Sequence, residues 1–415
     1  MSSPKLSSIP VNTLYLWYTG NPDSPALVGE LNLVMSGRGV SLRYGADWLN
    51  NGFPLSEDLP LVDIEHFPRE KDTAVGAVDD ARPDRWGEKV IRLLDRPPRL
   101  SLLEYLYYAG DDRFGALGVS TSETAYIPRD IGPLPQLRDV DAVHDVVRKV
   151  LAGEPVEQHL KRLIAPGVTM GGARPKALIQ LEGAEWVLKF AEEDSSVEPL
   201  VEHASMTLAA MAGIDVAVTR PIKFSTGVAL AIKRFDRLGD RLRQHALSAN
   251  VALKAAGVEL SYPNLALLLR RKGVTEGQQH RRQMHELFRR LIFNILMDNT
   301  DDHEKNHVLL VTDAQHYVLA PAFDVLPTGH SLGYQAMVVG VNGAESSIDN
   351  AVSMAKDYWL SPQAAVDEAW AVARVVNTWQ KHFAAEGISS TALEELSFHL
   401  DRPFLLEQRR ALLRE

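Results

Sequence analysis

The sequence contains no cysteine, which excludes disulfides, thiolate catalysis and Cys-type zinc sites while leaving the compartment open. It also lacks any apolar run approaching the roughly 18 residues that cross a bilayer. Met1 to Pro10 has none of the basic, apolar and small-residue regions of a secretory leader, so a cytoplasmic chain with no membrane partner is the expectation. Cations are in the minority: 44 Lys and Arg stand against 54 Asp and Glu, a net charge of −10, which argues against a broad nucleic-acid-binding face. Two local basic runs remain, Arg270-Arg271-Lys272 and Arg281-Arg282, and solvated helix ends are the commoner source of such runs. Internal repeats and low-complexity tracts are missing too. What is present is 45% hydrophobic content over 415 residues, enough for a large core divided among two or three structural units.

The first segment is rich in β signals. Leu14 to Tyr18 and Leu27 to Met35 flank a turn of Gly, Pro and Asp, and a further strand is expected near Val40 to Tyr44. A helical stretch follows from Leu100 to Tyr108, and Pro128 to Asp139, with three prolines and a glycine, has the composition of a linker. Val140 to Leu151 is helical in pattern. From Ser248 onward helical periodicity dominates, so the chain is expected to be α+β with a mainly α C-terminal part.

The most informative stretch is Asn299-Thr300-Asp301-Asp302-His303-Glu304-Lys305-Asn306. An Asp and an Asn separated by four residues match the spacing with which protein kinases hold a catalytic base and a metal ligand on one loop. Alone the pair is weak, since a chain of this length should show about one by chance. Its surroundings make it specific. Upstream, Met284, Leu287, Phe288, Leu291, Ile292, Ile295 and Leu296 recur at steps of three and four, predicting a buried helix that delivers the chain to Asn299. Downstream, Val308 to Val311 and His316 to Leu319 flank Thr312-Asp313-Ala314-Gln315 and predict a hairpin running into Ala320-Pro321-Ala322-Phe323-Asp324. Helix, polar loop, hairpin and a further Asp are the order of parts in a kinase C-lobe, where the last Asp holds Mg²⁺.

A second constellation lies upstream. Pro166 to Lys176 is a loop containing Gly167, Gly171 and Gly172, and the runs Ala177 to Leu181 and Trp186 to Phe190 predict a hairpin after it. Glycines let backbone N–H groups approach a phosphate, so the loop is either a nucleotide cover or an ordinary turn. Lys189 sits within an apolar strand, where a cation needs an anionic partner or must snorkel to water. From Glu198 to Ala212 a helix is expected, with Val201, Ala204, Leu208 and Met211 on one side and Gly213 as its stop. Glu202 on that helix either pairs with Lys189, as a kinase helix Glu pairs with its strand Lys, or is a solvated charge. Val216 to Phe224 and Val228 to Phe235 predict another hairpin, whose exit through Lys233 and Phe235 occupies the place of a kinase hinge.

These residues together resemble the HipA family of Ser/Thr kinases, the toxin halves of bacterial toxin–antitoxin pairs. The resemblance rests on Gly172-Ala173-Arg174-Pro175-Lys176 for the family's Gly-Ala-x-x-Lys loop, on Asp301-x-His303-x-Lys305-Asn306 for its catalytic loop and on Pro321-Ala322-Phe323-Asp324 for its metal-binding segment. In the N-terminal part it rests on Val28-Gly29-Glu30-Leu31, Pro54-Leu55-Ser56 and Leu59-Pro60, so it spans nearly the whole chain. It implies a HipA-like, protein-kinase-like fold in three parts: a small β-rich subdomain at 1–125, a mixed α/β nucleotide lobe at 140–240 and a mainly α-helical catalytic lobe at 241–415.

The resemblance also implies ATP and Mg²⁺. Asp301 is then the base, His303 braces the loop or is simply a structural histidine, and Lys305 neutralises the transferred phosphate. Asn306 and Asp324 hold the metal. Gly171, Gly172, Ala173 and Lys176 cover the triphosphate, Lys189 with Glu202 contacts the α- or β-phosphate, and Lys233 and Phe235 offer hinge backbone to the adenine. In the family a Ser just before the Gly-Ala-x-x-Lys loop is self-phosphorylated and switches the enzyme off; Thr169 occupies that place here and either keeps that role or only shapes a turn. The implied partners are a HipB-like helix-turn-helix antitoxin, operator DNA through the antitoxin complex, and a protein substrate of the aminoacyl-tRNA synthetase class or another translation protein. Two departures bear on substrate and toxicity: Arg174-Pro175 stands where the toxin has Gln-Glu, and Asp302 replaces a glycine. The other readings are a catalytically weak co-repressor subunit and a small-molecule kinase.

Overall fold

A computed structural model of the chain describes residues 12–167, 172–193, 197–239 and 241–413. The chain divides into two compact units, Met1–Glu192 with Asp236–Leu247 and Glu193–Phe235 with Ser248–Glu415.

In the first unit, β1 (Thr13–Tyr18), β2 (Ala26–Val34) and β3 (Gly39–Tyr44) form an antiparallel meander. β4 (Glu65–His66) extends it beyond β3, β5 (Thr73–Ala74) runs parallel to β3, and β6 (Leu117–Ser120) lies on the far side of β1. The period of two works as the sequence predicts: Leu14, Leu16, Leu31 and Leu42 are all fully buried. The helices of this unit are α1 (Ala46–Asn51), α2 (Arg85–Leu94), α3 (Leu102–Tyr108) and α4 (Val140–Ala152). α3 starts two residues later than its apolar run because Ser101 and Glu104 form a reciprocal capping box and Leu100 is left in the left-handed region, φ 52°.

The hairpin β7 (Lys176–Leu181) and β8 (Ala184–Lys189) turns at Glu182-Gly183 as expected. Lys189 ends β8 rather than sitting mid-strand, and the register sets it opposite Lys176. The ladder stops there because Phe190 N donates to Pro175 O and Pro175 has no N–H to return. The stretch expected as a linker is not free of the fold: Gln180 N donates to Pro135 O, so its end lies along β7. A small hairpin, β11 (Arg237–Leu238) and β12 (Leu242–Arg243), belongs to the same unit.

One buried histidine makes this unit sensitive to acid. His245 Nε2 donates to Leu55 O at 2.8 Å, while its Nδ1 is buried with no partner. Burial pushes the imidazole down to about 4, against a smaller opposing effect of the Leu55 carbonyl. The folded state thus resists a proton that the unfolded chain accepts near pH 6.5. Stability is complete above that pH and falls as pH drops from there to about 4, a loss on the order of 3 kcal/mol by linkage. In urea unfolding, the advantage of the wild type over His245→Gln is expected to shrink across that window.

In the second unit, α5 (Glu198–Met211) stops at Gly213, φ 77°. Met211 is exposed rather than inward, since it lies roughly 80° around the helix from Val201. β9 (Thr219–Phe224) and β10 (Gly227–Lys233) form the expected hairpin. The chain returns to this unit at Ser248, the last residue of β13 (Ala246–Ser248), and continues through α6 (Ala249–Ala255), α7 (Tyr262–Lys272) and α8 (Gln279–Leu296), then the hairpin β14 (Val308–Val311) and β15 (Tyr317–Leu319). Helices α9 (Ile348–Ser353), α10 (Pro362–Val376), α11 (Trp379–Ala385), α12 (Ser390–Leu400) and α13 (Pro403–Leu413) complete it. Among the described residues no helix is long and apolar enough to cross a membrane.

Candidate active site

α8 is the platform. Its predicted face, Met284, Leu287, Phe288, Leu291, Ile292, Ile295 and Leu296, is wholly buried, each side chain contributing about 1.5–3 kcal/mol of transfer free energy. The chain leaves the helix through Asp298 in the left-handed region, φ 53°. Asp298 is itself buried. Its carboxylate accepts from Arg402 Nη2 at 2.8 Å and Ser331 N at 3.3 Å, and its carbonyl accepts from Thr328 N and Oγ1. Burial pushes this acid above its ordinary value, only partly offset by Arg402.

Beyond that turn the two adjacent aspartates face opposite ways. Asp301 is exposed, whereas Asp302 is buried and accepts from the Tyr262 hydroxyl and, at 2.8 Å, from His307 Nε2. Burial pushes Asp302 up, but His307 and then Tyr262 outweigh it and hold the carboxyl below its ordinary value. Residues Glu304–Asn306 make a single 3-10 turn. Asn306 N donates to His303 O at 2.9 Å and Asn306 Nδ2 to Asp301 O at 3.4 Å, so the loop closes on itself with the amide oxygen outside those bonds. His303 is half-buried with Nδ1 unpartnered, and Lys305 is exposed.

The segment carrying Asp324 is fixed from two sides. Ala322 N donates to Asp215 O, Ala217 N donates to Ala322 O, and Arg290 Nη2 donates to Ala320 O at 2.8 Å. Asp324 then takes φ 59°, a conformation that side chains other than glycine adopt at a cost and that clusters at functional sites. Asn306 lines a cavity of about 10 Å³ together with Phe323 and Val325, the neighbours of Asp324. The amide and the Asp324 segment are therefore adjacent. Phe235 stacks on Phe323 with centroids 5.6 Å apart, and Lys233 N donates to Val218 O, leaving that N–H unavailable to a ligand.

The other predicted residues divide between the units. Thr169 and Gly171 lie outside the described residues. Gly172 takes φ 60° and Ala173 is exposed, both in the first unit. Lys176 is fully buried: its ammonium donates to Asp84 Oδ2 and, at 2.7 Å, to Gly172 O, while Asp84 Oδ1 caps α2 through Gly87 N. Lys189 in the first unit and Glu202 in the second are each buried.

Two features carry no sequence signal: the Tyr262–Asp302–His307 cluster and the Asp298–Arg402 pair join residues up to 104 positions apart. The two basic runs meet on one half-exposed indole, with Arg270 and Arg281 at 4.7 and 5.6 Å from the Trp359 ring. Among the described residues no group of three or more Asp, Glu and His side chains gathers as a metal cluster.

Comparison with known proteins decides the family. Residues 168–382, just over half of the chain, match the HipA-like C-terminal domain. The chain belongs to that family. As a HipA-family member it is 24% identical over 322 residues to the serine/threonine-protein kinase toxin HipA of Shewanella oneidensis, covering 69% of this chain and 70% of that one. It is 29% identical over 245 residues to Y4dM of Sinorhizobium fredii, named as a candidate kinase, and spans 56% of that protein's length. Among solved structures, HipA of Shewanella oneidensis MR-1, in complex with HipB and operator DNA, superposes with a TM-score of 0.67 over 96% of this chain and 97% of that one at 18% identity. The α+β, kinase-like fold expected from the sequence is thereby borne out.

Proposed function

We propose that this HipA-family chain is an ATP-dependent Ser/Thr protein kinase and the toxin of a type II toxin–antitoxin pair. One observation carries the reading: Asp301 stands exposed at the end of a buried helix while Asn306 folds back onto it beside the Asp324 segment. In this reading Asp301 accepts the proton of a substrate hydroxyl as its oxygen attacks the γ-phosphorus, the bond to the bridging oxygen breaks, and ADP leaves. Asn306 and Asp324 would hold a magnesium ion: the Asn306 amide nitrogen bonds Asp301 O, which leaves the amide oxygen as the group it can offer, and the Asp324 segment lies beside it. Magnesium held by one or two protein oxygens and the substrate's phosphates needs no larger carboxylate cluster. When bound, it offsets charge on the transferring phosphoryl oxygens.

Lys305 and His303 are proposed to support transfer, and Lys189, Glu202, Gly171, Ala173 and the backbone near Lys233 and Phe235 to hold ATP. Lys176 acts through the loop it ties to Asp84 and Gly172. A HipB-like antitoxin and operator DNA through that partner belong to the same proposal, supported by the HipA, HipB and operator DNA complex that the fold resembles, while a translation protein as substrate and self-phosphorylation at Thr169 are proposed from the sequence resemblance alone.

The test uses purified protein with γ-labelled ATP, Mg²⁺ and protein acceptors, the chain itself included. Label on Ser or Thr in the wild type and none with Asp324→Asn is expected; equal label in both overturns the assignment. Absence of phosphate on Thr169 by mass spectrometry ends the self-phosphorylation claim.

A further inference from the structure

The candidate catalytic loop rests on a continuous chain of buried polar side chains. Asn299 Nδ2 donates to Asn294 Oδ1 at 3.0 Å, Asn294 Nδ2 approaches the Tyr262 hydroxyl at 3.5 Å, that hydroxyl donates to Asp302 Oδ2, and His307 Nε2 donates to the same oxygen at 2.8 Å. All five side chains are at most 3% exposed. The chain touches the loop at its start, its centre and its end, while the other members come from α7 and α8. Its far end is tied as well, since His307 O accepts from Ala249 N at the start of α6.

A buried carboxylate is expensive unless its oxygens find donors. Apolar packing alone would fill this space at lower cost, so the network's use lies in direction: two donors at fixed positions hold Asp302 in one orientation, and the peptide that follows Asp301 turns with it. We propose that Asp302 is a positioning residue, which through Tyr262 and His307 sets the outward direction of Asp301 and the closed form of the 301–306 turn. This rests on the kinase reading of the loop, in which Asp301 must meet a hydroxyl within hydrogen-bond reach. Misplacement by about 1 Å lowers transfer on the order of 100-fold without removing a reacting group.

The test pairs Tyr262→Phe, which deletes one hydroxyl, with Asp302→Asn, each measured for kcat, the KM for ATP, thermal melting and amide hydrogen exchange across residues 299–307. Tyr262→Phe is expected to lower kcat about tenfold and Asp302→Asn about 100-fold, with the KM for ATP within about twofold, and the double variant should lose little beyond Asp302→Asn because both act through one bond. Faster exchange confined to 299–307 is expected in both. Unchanged exchange there, or a kcat that falls only with the folded fraction, overturns the inference. A wild type that transfers no phosphate overturns the kinase reading alone, and the exchange result still decides whether Asp302 holds the loop.

Discussion

Asp301→Asn is expected to leave the protein folded and to lower phosphoryl transfer by roughly 10²–10⁴-fold. The side chain is exposed, and the bond from Asn306 Nδ2 engages the backbone carbonyl of Asp301 rather than its carboxylate. Asn keeps the size and loses the ability to take up a proton, so the melting temperature should stay within about 1–2 °C of wild type, as for other surface changes. Labelled transfer by the two proteins at equal folded concentration, with thermal melting beside it, makes the check. A variant that transfers at wild-type rate would remove Asp301 from the chemistry.

Lys176→Met is expected to act first on stability, with a loss of about 3–5 kcal/mol. The ammonium is fully buried, and Asp84, its partner, is only 12% exposed. Removing the cation leaves a carboxylate with little water around it and frees the Gly172 carbonyl. Burial already raises Asp84 above its ordinary value with Lys176 in place, its attraction and hydrogen bond to Lys176 notwithstanding, so the variant's carboxyl should rise further. The sign follows: the folded variant then binds a proton more readily than the unfolded chain, and its stability increases as pH falls from neutrality toward about 4. Urea unfolding should show a deficit that is largest near neutral pH and is partly recovered by Asp84→Asn in the same chain. A deficit absent from unfolding, with only a raised KM for ATP, would make Lys176 a direct ligand instead.

Much of the site was legible because its parts are local. The helix before Asn299 writes itself in steps of three and four, the hairpin before Asp324 in short apolar runs with a polar turn, and the Asp–x₄–Asn spacing within one loop. Boundaries were less legible where a single group decided them. Pro175 ended the β7–β8 ladder and so moved Lys189 to a strand end, and the capping box at Ser101 set the start of α3.

Contacts between residues far apart were not legible at all. Nothing in the sequence near Asp302 names Tyr262, 40 positions away, nor does Lys176 announce Asp84, 92 positions away. By itself the sequence determined the α+β pattern, the buried helix and the order of the candidate catalytic residues, since periodicity and spacing depend only on neighbours along the chain. Only the tertiary structure decided which aspartate of the pair faces outward and which lysine is tied inside. Those outcomes depend on donors and acceptors that burial brings together, and a buried charge takes its role from the partner it meets.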